Sequence, residues 1–193
     1  QGGALMLCNH QSHLDPMLVG VTLRDRGMRA MARKSLLTSP WPVPWLLVHA
    51  FDSIMLEQGA ADPGAMRAAL KELHEGRLSV IFPEGTRSPD GTVRPFQRGV
   101  WLLIKRGGVP VIPMAVEGTG ECWATGDRPR LGGRQMLIIG EPIDPSRLLE
   151  LGPDEGLALL RRTIDALRLE ARAEIRRRTR GSRPRPGPAD GAL

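Results

Sequence analysis

Short apolar runs alternate along this chain with longer segments of helical periodicity, and this alternation limits the fold more than any other feature. Strands separated by helices are typical of α/β proteins, in which helices cover the faces of a sheet. The sequence therefore predicts an α/β fold. The runs with the length and composition of strands are Ala4–Cys8, Met28–Ala32, Ile54–Leu56, Leu78–Phe82, Val109–Val116 and Gln135–Ile139.

Helical segments lie between these runs. Asp62 and Pro63 supply an N-cap and a first-turn proline, and Gly76 supplies a stop, so a helix is predicted between them. A second helix is predicted from Arg98 to Arg106. The longest has apolar residues at intervals of three and four from Leu157 to Ile175.

The length of 193 residues suits one domain, and the 41% hydrophobic content is that of a globular protein. We expect a folded domain over residues 1–179 and a disordered tail over 180–193, where Arg, Pro and Gly leave little apolar surface to pack.

The chain has no initiator Met, so we also expect a missing N-terminal segment. It contains no run of about 18 apolar residues. Two distant cysteines, Cys8 and Cys122, give no disulfide framework and favour a reducing compartment.

The net charge of +6 is concentrated near the C-terminus. Ten arginines lie between Arg161 and Arg185, against three acidic residues. Such a basic segment suits an anionic membrane or a nucleic acid, and it suits equally a solvated helix followed by a frayed tail.

The phrase CNHQSHLDP, residues 8–16, ends the first apolar run and continues directly beyond it. Ligands of open α/β sheets bind at the carboxyl ends of the strands. An imidazole can accept a hydroxyl proton at neutral pH, and a carboxylate on its other nitrogen fixes the tautomer and supports the imidazolium. We therefore interpret His10 as a general base and Asp15 as the group that orients it.

Two other interpretations stay open from these residues alone. Asp15 also suits a helix N-cap, with Ser12 in the turn and the histidines incidental. The other is a metal site, although its possible ligands lack the separated pairs typical of one. These ligands are Cys8, His10, His13 and Asp15. Cys8 ends an apolar strand and is expected in the core, and we predict no metal.

The phrase FPEGTRSPDG, residues 82–91, follows another predicted strand. Its Gly, Thr and Arg residues can hold an anion through backbone N–H groups and a guanidinium fork. The alternative is a surface turn, since Ser-Pro-Asp-Gly favours a turn on its own.

In order and spacing, NHQSHLD, FPEGTRS and VPVIPMAV together resemble the glycerolipid acyltransferase family, of the 1-acylglycerol-3-phosphate acyltransferase (PlsC) type, over residues 2–143. The resemblance implies one acyltransferase domain with a mixed, largely parallel sheet flanked by helices, a glycerol-3-phosphate acyltransferase-like fold. It implies that His10 and Asp15 catalyse acyl transfer. The residues that it implies for the acceptor site are Lys34, Glu84, Gly85, Thr86, Arg87 and Pro113.

The resemblance also implies the reaction and its partners. The acyl group would pass from acyl-CoA or acyl carrier protein, a co-substrate with no further cofactor, to the free hydroxyl of 1-acylglycerol-3-phosphate in phospholipid biosynthesis. We expect a peripheral enzyme on the cytoplasmic face of the cell membrane, with no nucleic-acid partner. Trp41 and Trp45 beside an apolar run suit a bilayer interface, although a core helix fits them too. Trp101 is expected in the core.

One stretch of the sequence, at Glu57 and Gln58, differs from the pattern of the family. Its members usually have a strand ending in Asp-Arg where this chain has Glu57 and Gln58. A missing arginine removes a charge-assisted contact worth about 1.5–3 kcal/mol. The departure keeps an alternative open, an acyltransferase of the same family with a different lysolipid or hydroxyl acceptor.

Overall fold

The computed structural model describes residues 2–23, 28–33, 54–56, 63–124, 128, 130 and 133–192, with the backbone alone at 28–33, 54–56 and 65. Its strands are β1 (Ala4–Cys8), β2 (Met28–Arg33), β3 (Ile54–Leu56), β4 (Leu78–Ile81), β5 (Val111–Glu117) and β6 (Met136–Ile139). Its helices are α1 (Asp15–Leu23), α2 (Pro63–His74), α3 (Gly99–Gly107), the short α4 (Thr119–Cys122) and α5 (Pro145–Arg178). Each predicted strand is confirmed to within two residues at either end.

The strands form one sheet in the order β3-β2-β4-β1-β5-β6. The central strand, β1, is parallel to β4 on one side and to β5 on the other, with Leu7 opposite both Ile81 and Pro113. The remaining pairs are parallel as well, except that β6 runs antiparallel to β5 at one edge. Every residue of β1 is buried, which is typical of a parallel strand covered on both faces. The predicted α/β fold with a mixed, largely parallel sheet is confirmed.

Alternate residues of β1 join two hydrophobic clusters, one on each face of the sheet. Leu5 and Leu7 belong to the larger cluster, together with residues of α2, α3 and α5. Met6 and Cys8 belong to the smaller cluster, which includes residues of α1. Trp101 of α3 packs against the larger cluster, as predicted.

The last helix, α5, is longer than its apolar pattern indicates. It begins at Pro145, and the carboxylate of Asp144 caps it by accepting the Ser146 N–H at 2.8 Å. Gly152 leaves the helical conformation (φ 78°, ψ 176°) and Pro153 follows it, so the helix kinks there. The predicted helix covered only the part beyond this kink, because Gly-Pro is typical of a helix stop.

The C-terminal tail, residues 180–192, packs against α5, whereas its composition predicts disorder. Arg168 is fully buried and donates to the Ala189 carbonyl at 2.6 Å. Arg172 and Arg176 each pair with Asp190 at 2.7 Å. The side chain of Ala189 is buried as well. The inward-facing arginines of α5 thus bind carbonyl oxygens and a carboxylate of the tail. Such polar contacts cannot be predicted from the number of apolar side chains in the tail.

Candidate active site

The candidate site lies where β1, β4 and β5 end at the same edge of the sheet. Asn9 follows β1 and makes reciprocal hydrogen bonds with Val116 of β5. Its Nδ2 donates to the Val116 carbonyl at 3.0 Å, and its Oδ1 accepts the Val116 N–H at 2.7 Å. These bonds replace backbone pairing, so the chain leaves the sheet at Asn9 without losing its attachment to β5.

His10 and Asp15 meet, as their spacing predicts. His10 Nδ1 lies 2.8 Å from Asp15 Oδ2, and the Asp15 side chain is fully buried. The same oxygen accepts the N–H of Gln11 at 2.6 Å and the N–H of Ser12 at 2.7 Å. An oxygen that receives two N–H groups is an acceptor towards the ring as well. Nδ1 therefore carries the ring hydrogen, and Nε2 is the nitrogen left to accept a proton.

The contacts of Asp15 differ from those of a helix N-cap. An N-cap side chain accepts N–H groups two or three residues further along its helix. The Asp15 carboxylate turns back instead, to Gln11 and Ser12 in the loop that carries His10. The N-cap interpretation therefore does not account for this residue. Ser12 does take a turn role, since its hydroxyl accepts the Leu14 N–H at 3.1 Å.

The ring of His10 is held on one side and open on another. It stacks on Phe82, the first residue after β4, with ring centroids 4.3 Å apart. The His10 side chain is 19% exposed, which leaves it accessible to a substrate. Cys8 is fully buried, and burial, followed by the Asp15 and Glu84 carboxylates, raises the pKa of its thiol well above the ordinary value. The thiol is therefore protonated at neutral pH and belongs to the core, as predicted.

Glu84 joins the two motif loops. Its Oε1 accepts the His10 N–H at 2.8 Å, and its Oε2 accepts the Arg94 N–H at 3.0 Å. The Ser88 N–H donates in return to the His10 carbonyl at 2.7 Å. Burial raises the pKa of Glu84 from its usual 4.5 to about 7. Because this side chain is 2% exposed and both oxygens face backbone N–H groups, the structure places Glu84 between the loops and not on a surface open to an acceptor.

The rest of the EGTR segment lies nearer to solvent. Gly85 has a positive φ of 69°, which favours glycine, and Thr86 is exposed. The Arg87 guanidinium contacts the His13 ring, which in turn packs on Trp123 with ring centroids 4.8 Å apart. Burial, followed by the charge of Arg87, lowers the pKa of His13. His13 is therefore neutral at pH 7 and lies beside the guanidinium without charge repulsion.

Pro113 lies within β5, level with the last residue of β4 and one residue before the level at which β1 ends. It is buried inside β5, opposite Leu7 of β1, and its carbonyl accepts the Gly140 N–H at 2.8 Å. The structure therefore places Pro113 in the sheet, and its role in the acceptor site stays a prediction. Pro113 stands within the fourth sequence block, whose contribution to this edge comes from the end of β5 at Glu117.

A family model described as Acyltransferase matches residues 1–117 of the chain. The chain belongs to the acyltransferase family. The match takes in both loops that carry His10, Asp15 and the EGTR segment, together with β5.

The chain is also similar to individual known proteins. The acyltransferase is 28% identical over 164 residues to the 1-acyl-sn-glycerol-3-phosphate acyltransferase of Bacillus subtilis, covering 84% of this chain and 78% of that one. It is 36% identical over 83 residues to a chloroplastic 1-acyl-sn-glycerol-3-phosphate acyltransferase of Brassica napus, covering 42% of this chain and 24% of the relative. The crystal structure of the 1-acyl-sn-glycerophosphate acyltransferase PlsC from Thermotoga maritima is similar with a TM-score of 0.65 and 26% identity, covering 96% of this chain and 69% of that chain. The resemblance to PlsC-type glycerolipid acyltransferases is confirmed.

Several predictions for the acyltransferase fall on residues outside the described ranges. Lys34, the pair Trp41 and Trp45, and the departing block at Glu57 and Gln58 all lie there. Their proposed roles stay predictions.

No group of three or more His, Cys, Asp or Glu side chains among the described residues is arranged to hold a metal ion. Within the same ranges, no helix has both the length and the apolar character needed to cross a membrane.

The sequence did not predict the polar contacts that connect the His10 loop to β5 and α5. Gln11 Nε2 donates to Glu117 Oε2 at 3.0 Å, which connects the loop of His10 to the end of β5. Glu117 binds Arg172 of α5 at 2.5 Å. One feature of the sequence could have indicated these contacts. Glu117 directly follows a predicted apolar strand, where a buried charge needs a partner.

Proposed function

We propose that this acyltransferase moves a fatty acyl group from acyl-CoA or acyl carrier protein to the free hydroxyl of 1-acylglycerol-3-phosphate, and so makes phosphatidic acid for phospholipid biosynthesis. The observation that carries the proposal is the 2.8 Å contact of His10 with Asp15, beside the loop that bears Arg87. The activities named for the Bacillus and Brassica relatives support the acceptor.

In the proposed reaction, the acceptor hydroxyl gives its proton to His10 Nε2 while its oxygen attacks the thioester carbonyl. Asp15 holds the ring through Nδ1 and stabilises the imidazolium that forms. The tetrahedral intermediate then collapses. The new C–O bond is kept, the C–S bond breaks, and the proton passes from the imidazolium to the departing thiolate. No acyl-enzyme forms, because the acceptor supplies the nucleophile and the nearby Cys8 is buried.

Arg87 is proposed to hold the acceptor phosphate. A guanidinium fork matches the oxygens of a phosphate monoester, and the neutral His13 ring beside it fixes its direction without competing for the anion. Gly85 and Thr86 supply the adjoining backbone and hydroxyl donors, and Lys34 is proposed to add a second positive charge. The phosphate would thus be bound at one end of the acceptor while its hydroxyl lies against His10.

The enzyme is proposed to work at the cytoplasmic face of the cell membrane as a peripheral protein. A lysolipid acceptor resides at a bilayer surface, and Trp41 and Trp45 have the composition of an interfacial segment. The C-terminal arginines are a weaker argument for membrane or nucleic-acid binding, since Arg168 and Arg172 are buried in ion pairs.

Acyl transfer by the full-length protein tests the proposal. Lysophosphatidic acid, the corresponding monoacylglycerol and lysophospholipids with larger headgroups should each be offered with acyl-CoA and with acyl carrier protein thioester, and His10→Ala gives the background. The expected result is the highest kcat/KM for lysophosphatidic acid. Faster transfer to monoacylglycerol would contradict a phosphate-bearing acceptor.

That contrary result would favour a second candidate, an acyltransferase of the same family with a different lysolipid or hydroxyl acceptor. Glu57 and Gln58, where family members usually have Asp-Arg, are the observation in its favour. The reaction at His10 would be unchanged, because the departure concerns acceptor binding alone.

A further inference from the structure

Gln11 ties together three parts of the candidate site. Its backbone N–H donates to Asp15 Oδ2 at 2.6 Å. Its side-chain Nε2 donates to the Gly91 carbonyl at 3.1 Å and to Glu117 Oε2 at 3.0 Å. Gln11 is 4% exposed, so these contacts are made out of reach of most solvent. These contacts fix the residue next to His10.

Glu117 is the partner of Gln11, and it is held from the other side by α5. Arg172 Nη1 lies 2.5 Å from Glu117 Oε1, and Arg168 Nη1 lies 3.8 Å from Oε2. Glu117 is itself 2% exposed. A buried carboxylate with two guanidinium partners has a fixed direction, so it presents a fixed acceptor to Gln11.

Arg172 connects this cluster to the C-terminal tail. Its Nε donates to Asp190 Oδ1 at 2.7 Å, and its Nη2 donates to the Arg185 carbonyl at 2.6 Å. The tail also lies beside the loop that follows β4, since a Cβ added at Gly91 would lie 3.2 Å from the Cβ of Ala189. The tail is thus bonded to Glu117 through Arg172 and lies beside Gly91, the two partners of the Gln11 amide.

We propose that the C-terminal tail positions His10 for acyl transfer through the contacts Asp190–Arg172–Glu117–Gln11. This inference rests on the proposed function, and it adds positioning residues outside the two motifs. Asp190 fixes the Arg172 guanidinium, Arg172 fixes the Glu117 carboxylate, and Glu117 fixes the amide of Gln11. A small displacement of a general base costs turnover strongly, because the reacting atoms must be aligned in the transition state.

A double-mutant cycle on the full chain tests the proposal, with Asp190→Asn and Gln11→Met as the single variants. Asp190→Asn leaves Arg172 paired with Glu117, and Gln11→Met keeps the side-chain volume while leaving Glu117 its two arginines. Each should lower kcat about five- to tenfold with KM for the acyl donor unchanged. In the double variant kcat should stay within about twofold of Gln11→Met, since both act through one contact.

Glu174→Gln is the matched control. Glu174 also lies on α5, and its ion pairs are with Arg177 and Arg178 and not with a residue of the contacts from Asp190 to Gln11. Its kcat should equal that of the wild type. Thermal unfolding of every variant separates positioning from stability, because a merely structural role of Asp190 would lower Tm and leave kcat intact well below Tm.

Two results would overturn the proposal. One is wild-type kcat in Asp190→Asn, and the other is a double variant whose kcat loss equals the product of the single losses. Should Gln11→Met not fold, Asp190→Glu decides the matter, since its retained charge should restore more kcat than Asp190→Asn does. Equal kcat in those two variants would reject the proposal. A wild-type chain inactive with every acceptor would instead reject the proposed function.

Discussion

Glu84 should make the stability of the fold depend on pH, and replacing it by glutamine should remove that dependence. Burial raises its pKa from 4.5 to about 7, so between these values the folded chain keeps a proton that the unfolded chain has released. The free energy of unfolding must therefore fall as the pH rises through this window. The rise in pKa corresponds to about 3 kcal/mol. This stability is present in full below the unfolded value and is lost above about pH 7.

Glu84→Gln stays neutral at every pH but has one oxygen fewer. Either the His10 N–H or the Arg94 N–H then loses its acceptor, which costs about 1–3 kcal/mol regardless of pH. Relative to the wild type, the variant should be less stable at pH 5 and about equal or more stable at pH 8. The stability difference between the two proteins should shift by about 2–3 kcal/mol across that range.

Urea unfolding followed by circular dichroism at pH 5, 6, 7 and 8 measures this shift. Glu174→Gln is the control: hydrogen bonds from Arg177 and then Arg178 lower the pKa of Glu174 to about 2, so its carboxylate is ionised in both states from pH 6 to 8. Its stability difference from the wild type should stay constant there. Parallel curves for Glu84→Gln and the wild type would refute the argument that burial of Glu84 favours its neutral form.

Three further predictions concern the reaction. Asp15→Asn should lower kcat about a thousandfold or more, since an amide cannot support the imidazolium, and near-normal turnover at saturating substrates would contradict that role. Arg87→Ala should raise KM for lysophosphatidic acid about tenfold or more, with little change in KM for the acyl donor. Arg87→Lys should restore only part of the affinity for lysophosphatidic acid. An equal rise in KM for both substrates would contradict a role of Arg87 in acceptor binding. Gln58→Arg should lower KM for lysophosphatidic acid by restoring a guanidinium, and weaker binding would favour the alternative acceptor.

The strands and the contact of His10 with Asp15 could be predicted because both signals are local. A buried strand is a short apolar run, and an imidazole and a carboxylate five residues apart can meet across one turn. The contacts that hold the loops are not local. His10 meets Glu84 across 74 residues, and Gln11 meets Glu117 across 106, so only the strand order brings these partners together.

The contacts between the tail and α5 were not predicted, for a related reason. Its composition contains little apolar surface, which favours disorder in isolation. The inward face of α5 supplies what the tail lacks, because Arg168 and Arg172 need acceptors and find them in the Ala189 carbonyl and Asp190. Without knowledge of which face of α5 is buried, the arginines look like a solvated or membrane-binding surface.

The central claim is that His10, and not the neighbouring His13, accepts the proton of the acceptor hydroxyl. Steady-state acyl transfer by His10→Ala and His13→Ala, with both substrates saturating and folding checked by circular dichroism, tests it most directly. His10→Ala should lower kcat at least about a hundredfold. His13→Ala should keep most of kcat, because His13 contacts Arg87 and Trp123 instead of an orienting carboxylate. Equal losses in the two variants, or a larger loss in His13→Ala, would contradict the claim.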